Sequence, residues 1–171
     1  MTGSETQTVR REKGHWQFDP AREVLLLASL ERHKATGRVG LGLVAGFGLQ
    51  RGAIGSSVAH DSHNLIVAGT NPRDLLTCVR ALEEAGGGFV VAADGEVQAL
   101  LPMPLAGLLS KESAATVCQQ LAAVRQAAAN LGCVLPCPFG ILSFLALPVI
   151  PQLRITAQGL WDVEQQQFVR L

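Results

Sequence analysis

The chain has 171 residues, 48% hydrophobic and 16% charged, with Lys plus Arg and Asp plus Glu both at 14 and a formal net charge of zero. That length suits one domain with a substantial core, the neutral balance argues against nucleic acid or an anionic membrane surface as partner, and no apolar run reaches the ~18 residues of a membrane span. The apolar bias relative to an average soluble domain predicts extensive burial, some of it against a partner, with homo-oligomerisation expected.

The N-terminal "MTGSETQTVRREKGHW" is polar and lacks the apolar segment of a secretory signal, which places the protein in the cytoplasm. Residues 1–8 are expected to form a flexible tail ahead of a domain over 9–171. "EVLLLASLER" (23–32) reads as a buried strand, "HKATG" as a turn, and "RVGLGLVAGFGL" from Arg38 as a second, glycine-rich strand. Gly40, Gly42, Gly46 and Gly48 lack the strand–turn–helix setting of a dinucleotide loop, so they predict a strand that another backbone or a ligand approaches closely. Ala53–Val58 and "LIVAG" (65–69) complete four strands.

A helix over 72–85 follows: Asn71 can cap it, Pro72 suits its first position, Asp74 lies in its first turn, and Leu75, Leu76, Val79 and Leu82 form an apolar stripe. Asp94-Gly95 between two apolar runs predicts a tight hairpin. A second main helix is expected over 111–131, capped by Ser110, with Val117, Leu121, Val124, Ala128 and Leu131 recurring every three or four residues. "PCPFGILSFLALPVIPQLRIT" is a very apolar stretch with prolines around it, and "GLWDVEQQQFVRL" reads as an edge strand. Trp16 and Trp161 read as anchors for the chain ends. Cys78, Cys118, Cys133 and Cys137 read as packed thiols, because Cys133 and Cys137 lack a second ligand pair for zinc. The pattern gives an α+β single domain, mostly antiparallel sheet packed with two main helices.

The polar stretch "SSVAHDSHN" (56–64) sits between two strands. If Asp61-Ser62 were a two-residue turn, His60 and His63 would be cross-strand neighbours with Cβ atoms roughly 5 Å apart, and Asp61 and Asn64 could orient them. A metal site, a catalytic or ligand-binding loop and a merely polar turn all fit that pattern. Ser56 and Ser57 do not lie in a nucleophile elbow.

"ERHKATGRVGLGLVAGFGLQRGAIGSSVAHDSHNLIVAGTN", "EEAGGGFVV", "LPMPLAGLLS" and "LSFLALPVIPQLRIT…GLWDV" together resemble, from about Val9 to Val163, the C-terminal domain of bacterial adenine deaminases. The resemblance implies kinship with amidohydrolase-superfamily enzymes that hydrolyse adenine to hypoxanthine and ammonia at a divalent metal, often manganese or iron, in a preceding (β/α)8 barrel. A barrel takes about 250 residues, and its His-x-His metal pair has no counterpart among His15, His33, His60 and His63. No cofactor is therefore expected within this chain. Three roles follow from the resemblance: a domain that completes the active site of a barrel held elsewhere, with adenine or a related purine as ligand; an autonomous purine-binding or regulatory module; or a small hydrolase with its own metal on His60, Asp61 and His63. Under the first, His60, Asp61 and His63 are the expected catalytic wall, and Ser57 and Asn64 the expected substrate-binding residues.

Overall fold

The computed structural model describes residues 3–5, 10–12, 15–19 and 22–169. The expected tail over 1–8 lies outside these residues except for Gly3–Glu5. A hairpin of β1 (Arg10–Glu12) and β2 (His15–Gln17) precedes the main body. That body is a six-stranded, wholly antiparallel sheet of β3 (Leu25–Leu30), β4 (Val39–Val44), β5 (Ala53–Ser56), β6 (Leu65–Gly69), β7 (Gly88–Ala93) and β8 (Glu96–Pro102). Its strand order is β4-β3-β6-β5-β7-β8. The α+β antiparallel expectation holds.

Both faces of the central strands β3, β6, β5 and β7 are covered, which explains their nearly continuous apolar sequences, while the edge strand β4 leaves Val39 and Leu41 exposed. Leu65, Val67, Val90 and Ala92 point to one face, where they pack with Leu75, Cys78 and Leu82 of α1 (Pro72–Glu84). Burial pushes the Cys78 thiol well above its usual range. Leu27, Ile54, Ile66, Ala68 and Val91 point to the other face, under α2 (Ala114–Asn130) and α3 (Pro138–Leu145). A second, three-stranded antiparallel sheet closes that layer beside β3 and β4: β9 (Leu153–Thr156), β10 (Gly159–Asp162) and β11 (Gln167–Val169). Ile155 and Leu160 join its interior to the main core.

The helix expected over 72–85 is present with its cap, since the Asn71 side chain accepts from the Asp74 N–H at 2.9 Å. The Asp94-Gly95 turn is also present, both residues having positive φ as this hairpin type requires. Five expectations need correction. The strand from Arg38 ends at Val44, because Gly46, Gly48 and Gly52 adopt left-handed φ of 87°, 78° and 77° and fold the chain back. The apolar Phe47 and Leu49 in that segment plug the core from a loop. The helix expected from 111 starts at Ala114, since Ser113 caps the Thr116 N–H while the Ser110 hydroxyl accepts from Glu112. The stretch after it contains α3, begun by Pro138 at its first turn. The "GLWD" residues form the central β10, flanked by β9 and β11, so of the segment expected as an edge strand only its last part, β11, is one. Cys78 and Cys133 are packed, whereas Cys118 and Cys137 are exposed.

Candidate functional site

One end of the main sheet gathers four connections. Antiparallel pairing of Leu30 with Leu65, of Ser56 with Phe89 and of Gly88 with Pro102 puts them side by side. They are the β3–β4 turn, the β5–β6 loop, the turn from α1 into β7, and the segment leaving β8. The β5–β6 loop carries Ser57, His60, Asp61, His63 and Asn64.

Asp61-Ser62 is not the two-residue turn that the spacing allowed: β5 stops at Ser56 and β6 starts at Leu65. The cause is local. The Ser56 hydroxyl donates to the Val58 carbonyl at 3.1 Å and accepts from the Val58 N–H at 2.9 Å, bending the chain off the ladder. The His63 N–H then closes back on the Ala59 carbonyl, with His63 at φ 48°. The two imidazoles still meet, edge to face, with ring centroids 6.0 Å apart. Phe144 of α3 stands edge-on to His60 at 5.0 Å, and the His60 N–H donates to the Ser143 carbonyl. Asp61 and Ser62 are exposed, His60 and His63 half-buried, and Ser57 and Asn64 buried.

These side chains differ in what they can offer. The Ser57 hydroxyl donates to the Gly107 carbonyl and accepts from the Gly88 N–H at 2.7 Å, so it knots β7 to the segment after β8 beneath the surface. Asn64 Oδ1 and His63 Nδ1 are buried atoms without a hydrogen-bond partner. Burial, reinforced by the neighbouring His60 and Arg32, lowers the His63 pKa from its ordinary value; Asp61 opposes this and His33 adds to it. The shift favours the neutral imidazole of His63, which has one nitrogen to donate and one to accept. Among the described residues, no group of three His, Cys, Asp or Glu could hold a metal ion. His60, Asp61 and His63 are thus neighbours without being a metal cage.

Residues outside the polar motif build the rest of the site. Arg32 Nε donates to the His63 carbonyl, and Arg32 Nη2 reaches the Ala106 carbonyl at 2.7 Å. His33 Nε2 donates to the Ser62 carbonyl at 2.7 Å. Exposed Leu105 and Leu109 pair across the turn that holds Ala106, and exposed Phe144 stands against His60, so apolar side chains border both the loop and the segment tied to it. Phe144 also borders an apolar groove of about 850 Å3, walled by Leu27, Phe47, Leu145, Ile155 and Leu160.

The turn that carries Arg32 and His33 is shaped by Glu31. Its carboxylate accepts from the His33 N–H, the Lys34 N–H at 2.8 Å, and the Thr36 N–H and hydroxyl at 3.1 and 2.9 Å. These donors, Thr36 foremost, hold its pKa down to about 2 from 4.5. A carboxylate with a depressed folded pKa stabilises the folded turn above its unfolded pKa and loses that contribution as pH falls through its folded pKa. The amides of His33, Lys34 and Thr36 should therefore lose protection from hydrogen exchange between about pH 4.5 and about pH 2. Glu31→Gln should expose them at neutral pH and abolish the pH dependence.

The sequence matches the family described as the adenine deaminase C-terminal domain over residues 1–167. It is 47% identical, over the whole chain, to a protein named adenine deaminase from Desulfatibacillum aliphaticivorans, of which it covers 30%. Over 158 residues it is 49% identical to an adenine deaminase from Dehalococcoides mccartyi strain 195, covering 92% of this chain and 28% of that protein. An adenine deaminase from Brucella abortus strain 2308 is 50% identical over 151 residues, 88% of this chain and 26% of that one. The chain thus spans less than a third of the length of these relatives.

Proposed function

The chain belongs to the adenine deaminase C-terminal domain family, and from that premise we propose that it frames the reaction centre of an adenine-hydrolysing enzyme without holding its metal. The overall reaction is adenine plus water to hypoxanthine plus ammonia. The divalent metal, manganese or iron, belongs in this reading to a barrel outside the chain, in the cytoplasm. The observation that carries the reading is the β5–β6 loop, which presents two imidazoles and the exposed Asp61 carboxylate, with exposed Phe144 against His60 and the exposed Leu105 and Leu109 on the segment that Arg32 joins to the loop. Polar groups that can hold or move a proton, bordered by apolar side chains that exclude water on docking, suit a shared active site better than a free surface. Asp61 and His63 hydrogen-bond the purine edge or relay a proton, and Ser57 holds the floor beneath them. A basic or acidic patch for nucleic acid or membrane has no part in it.

The test is a chimera in which this chain replaces the matched portion of the Desulfatibacillum relative. Hypoxanthine formation by the chimera, its loss when residues 57–64 become a Gly/Ser linker with metal retained, and no turnover by the isolated chain with adenine and Mn2+ are the expected results. Full turnover with the linker in place would sink the reading.

A second reading, an autonomous purine-binding module, is favoured by the 850 Å3 groove that shares Phe144 with His60. It requires calorimetric binding of adenine by the isolated chain. An isolated chain that gives no binding heat removes it.

A further inference from the structure

Two consecutive carbonyls of the β5–β6 loop are gripped by two consecutive side chains of a different turn. His33 holds the Ser62 carbonyl and Arg32 the His63 carbonyl, from 29 and 31 residues away. The grip is built to one shape. A carbonyl only accepts, so the His33 ring carries its proton on Nε2. The Arg32 fork reaches a second loop as well, through Ala106, and its guanidinium lies where a side chain on Gly107 would stand: a Cβ there would fall within 2.8–2.9 Å of it. The Glu31 carboxylate fixes the turn that aims both side chains.

We propose that Arg32 and His33 are positioning residues, a two-pronged clamp that sets the place of the His63 imidazole by holding the backbone on either side of its α-carbon. Neither side chain need touch the purine. This rests on the reading of the loop as the site only for its catalytic consequence; the clamp itself is a property of the isolated chain. Arginine suits the task because its planar fork bridges two carbonyls at once, whereas a lysine ammonium on a flexible stem satisfies one of them at a time. Misplacement of a reacting group by about 1 Å can cost about 10²-fold in rate, which gives such a clamp a function beyond fold stability.

The experiment follows residues 59–64 of the isolated chain by hydrogen exchange and the His63 imidazole by NMR titration, with melting temperature as the folding control. Arg32→Gln and Arg32→Lys should each raise exchange in the loop about 10-fold or more. They separate on charge: the pKa of His63 should move upward in Arg32→Gln, where a nearby positive charge is lost, and less in Arg32→Lys, where it is kept. The groups that face His63 and share that titration are His60, Arg32, Asp61 and His33. If Arg32→Gln fails to fold, the exposed His33 carries the test. His33→Ala should loosen the loop, and His33→Gln, which can still donate to the Ser62 carbonyl, should restore it.

Unchanged exchange and unchanged His63 titration in folded Arg32 and His33 variants would overturn the clamp whatever the enzyme does. A loosened loop with full turnover in the Desulfatibacillum chimera would instead leave the clamp standing and count against the loop as the reaction site.

Discussion

Asp61→Asn and His63→Ala, each made in the Desulfatibacillum chimera, are expected to lower adenine turnover by about 10²–10⁴-fold while metal content stays unchanged, as for loss of one general acid or base. The expectation follows from what each side chain can do where it stands. Asp61 is exposed, so its carboxylate is open to a substrate docked on the loop. For His63, burial, His60 and Arg32 push the imidazole pKa down, which favours its neutral form, and Nδ1 has no hydrogen-bond partner in the protein. The pH profile gives a second readout. A His63 that acts as a base should place the acid limb of kcat/KM below the ordinary imidazole value of 6.5, and His63→Ala should remove that limb. Loss of metal in either variant would show that the loop reaches the metal after all, and unchanged turnover in both would make the loop structural.

Elements whose ends are marked by local chemistry were legible in the sequence. The Asn71 cap, Pro72 and the run of glycines after Ala85 bracket α1 to within a residue, and Asp94-Gly95 marks its own turn. The errors arose where tertiary packing overrides local pattern. Phe47 and Leu49 look like strand residues because they are apolar, yet they are apolar because a loop carries them into the core. The very apolar stretch from Pro136 carries no helix signal that its prolines do not mask, yet Pro138 is the first-turn proline of α3, which ends before Pro148. The candidate site divides the same way. His60, Asp61, His63 and Asn64 stand out as an uncommon polar cluster, and the structure keeps the two histidines together by a route that hairpin geometry did not foresee. Arg32 and His33 were invisible because their partners are backbone carbonyls some thirty residues away. No side-chain pattern records such a bond. Glu31 had a faint signal, a carboxylate at the head of a turn with Thr36 five residues on.

Gly40→Ala is expected to destabilise the chain by about 1–3 kcal/mol or more, the range for forcing extra atoms into a filled interior. A methyl group on Gly40 would sit 1.9 Å from the Thr156 carbonyl oxygen and 2.7 Å from the Gly159 N–H nitrogen, and neither can swing aside because both are backbone. The three-stranded sheet thus rests directly on β4, and Gly42, two residues on and on the same face, lies under the Leu160 and Ile155 side chains, which a Cβ there would meet at 3.0 and 3.4 Å. Relief of the clash requires β9 and β10 to lift from β4. For a chain of this size that corresponds to a fall in Tm of roughly 2–4 °C per kcal/mol. Amides of residues 153–162 should lose exchange protection before those of α1, which pack on the opposite face of the main sheet. Leu41→Ser is the control, because Leu41 alternates to the exposed face of β4 at 58% exposure and its replacement should change stability by about 0.5 kcal/mol or less. The lifted sheet would also open the groove that Ile155 and Leu160 wall, so any adenine binding by the isolated chain should weaken in Gly40→Ala and persist in Leu41→Ser. An unaltered Tm in Gly40→Ala would show that the small sheet does not bear on β4, and the closeness of the two layers would then carry no stability.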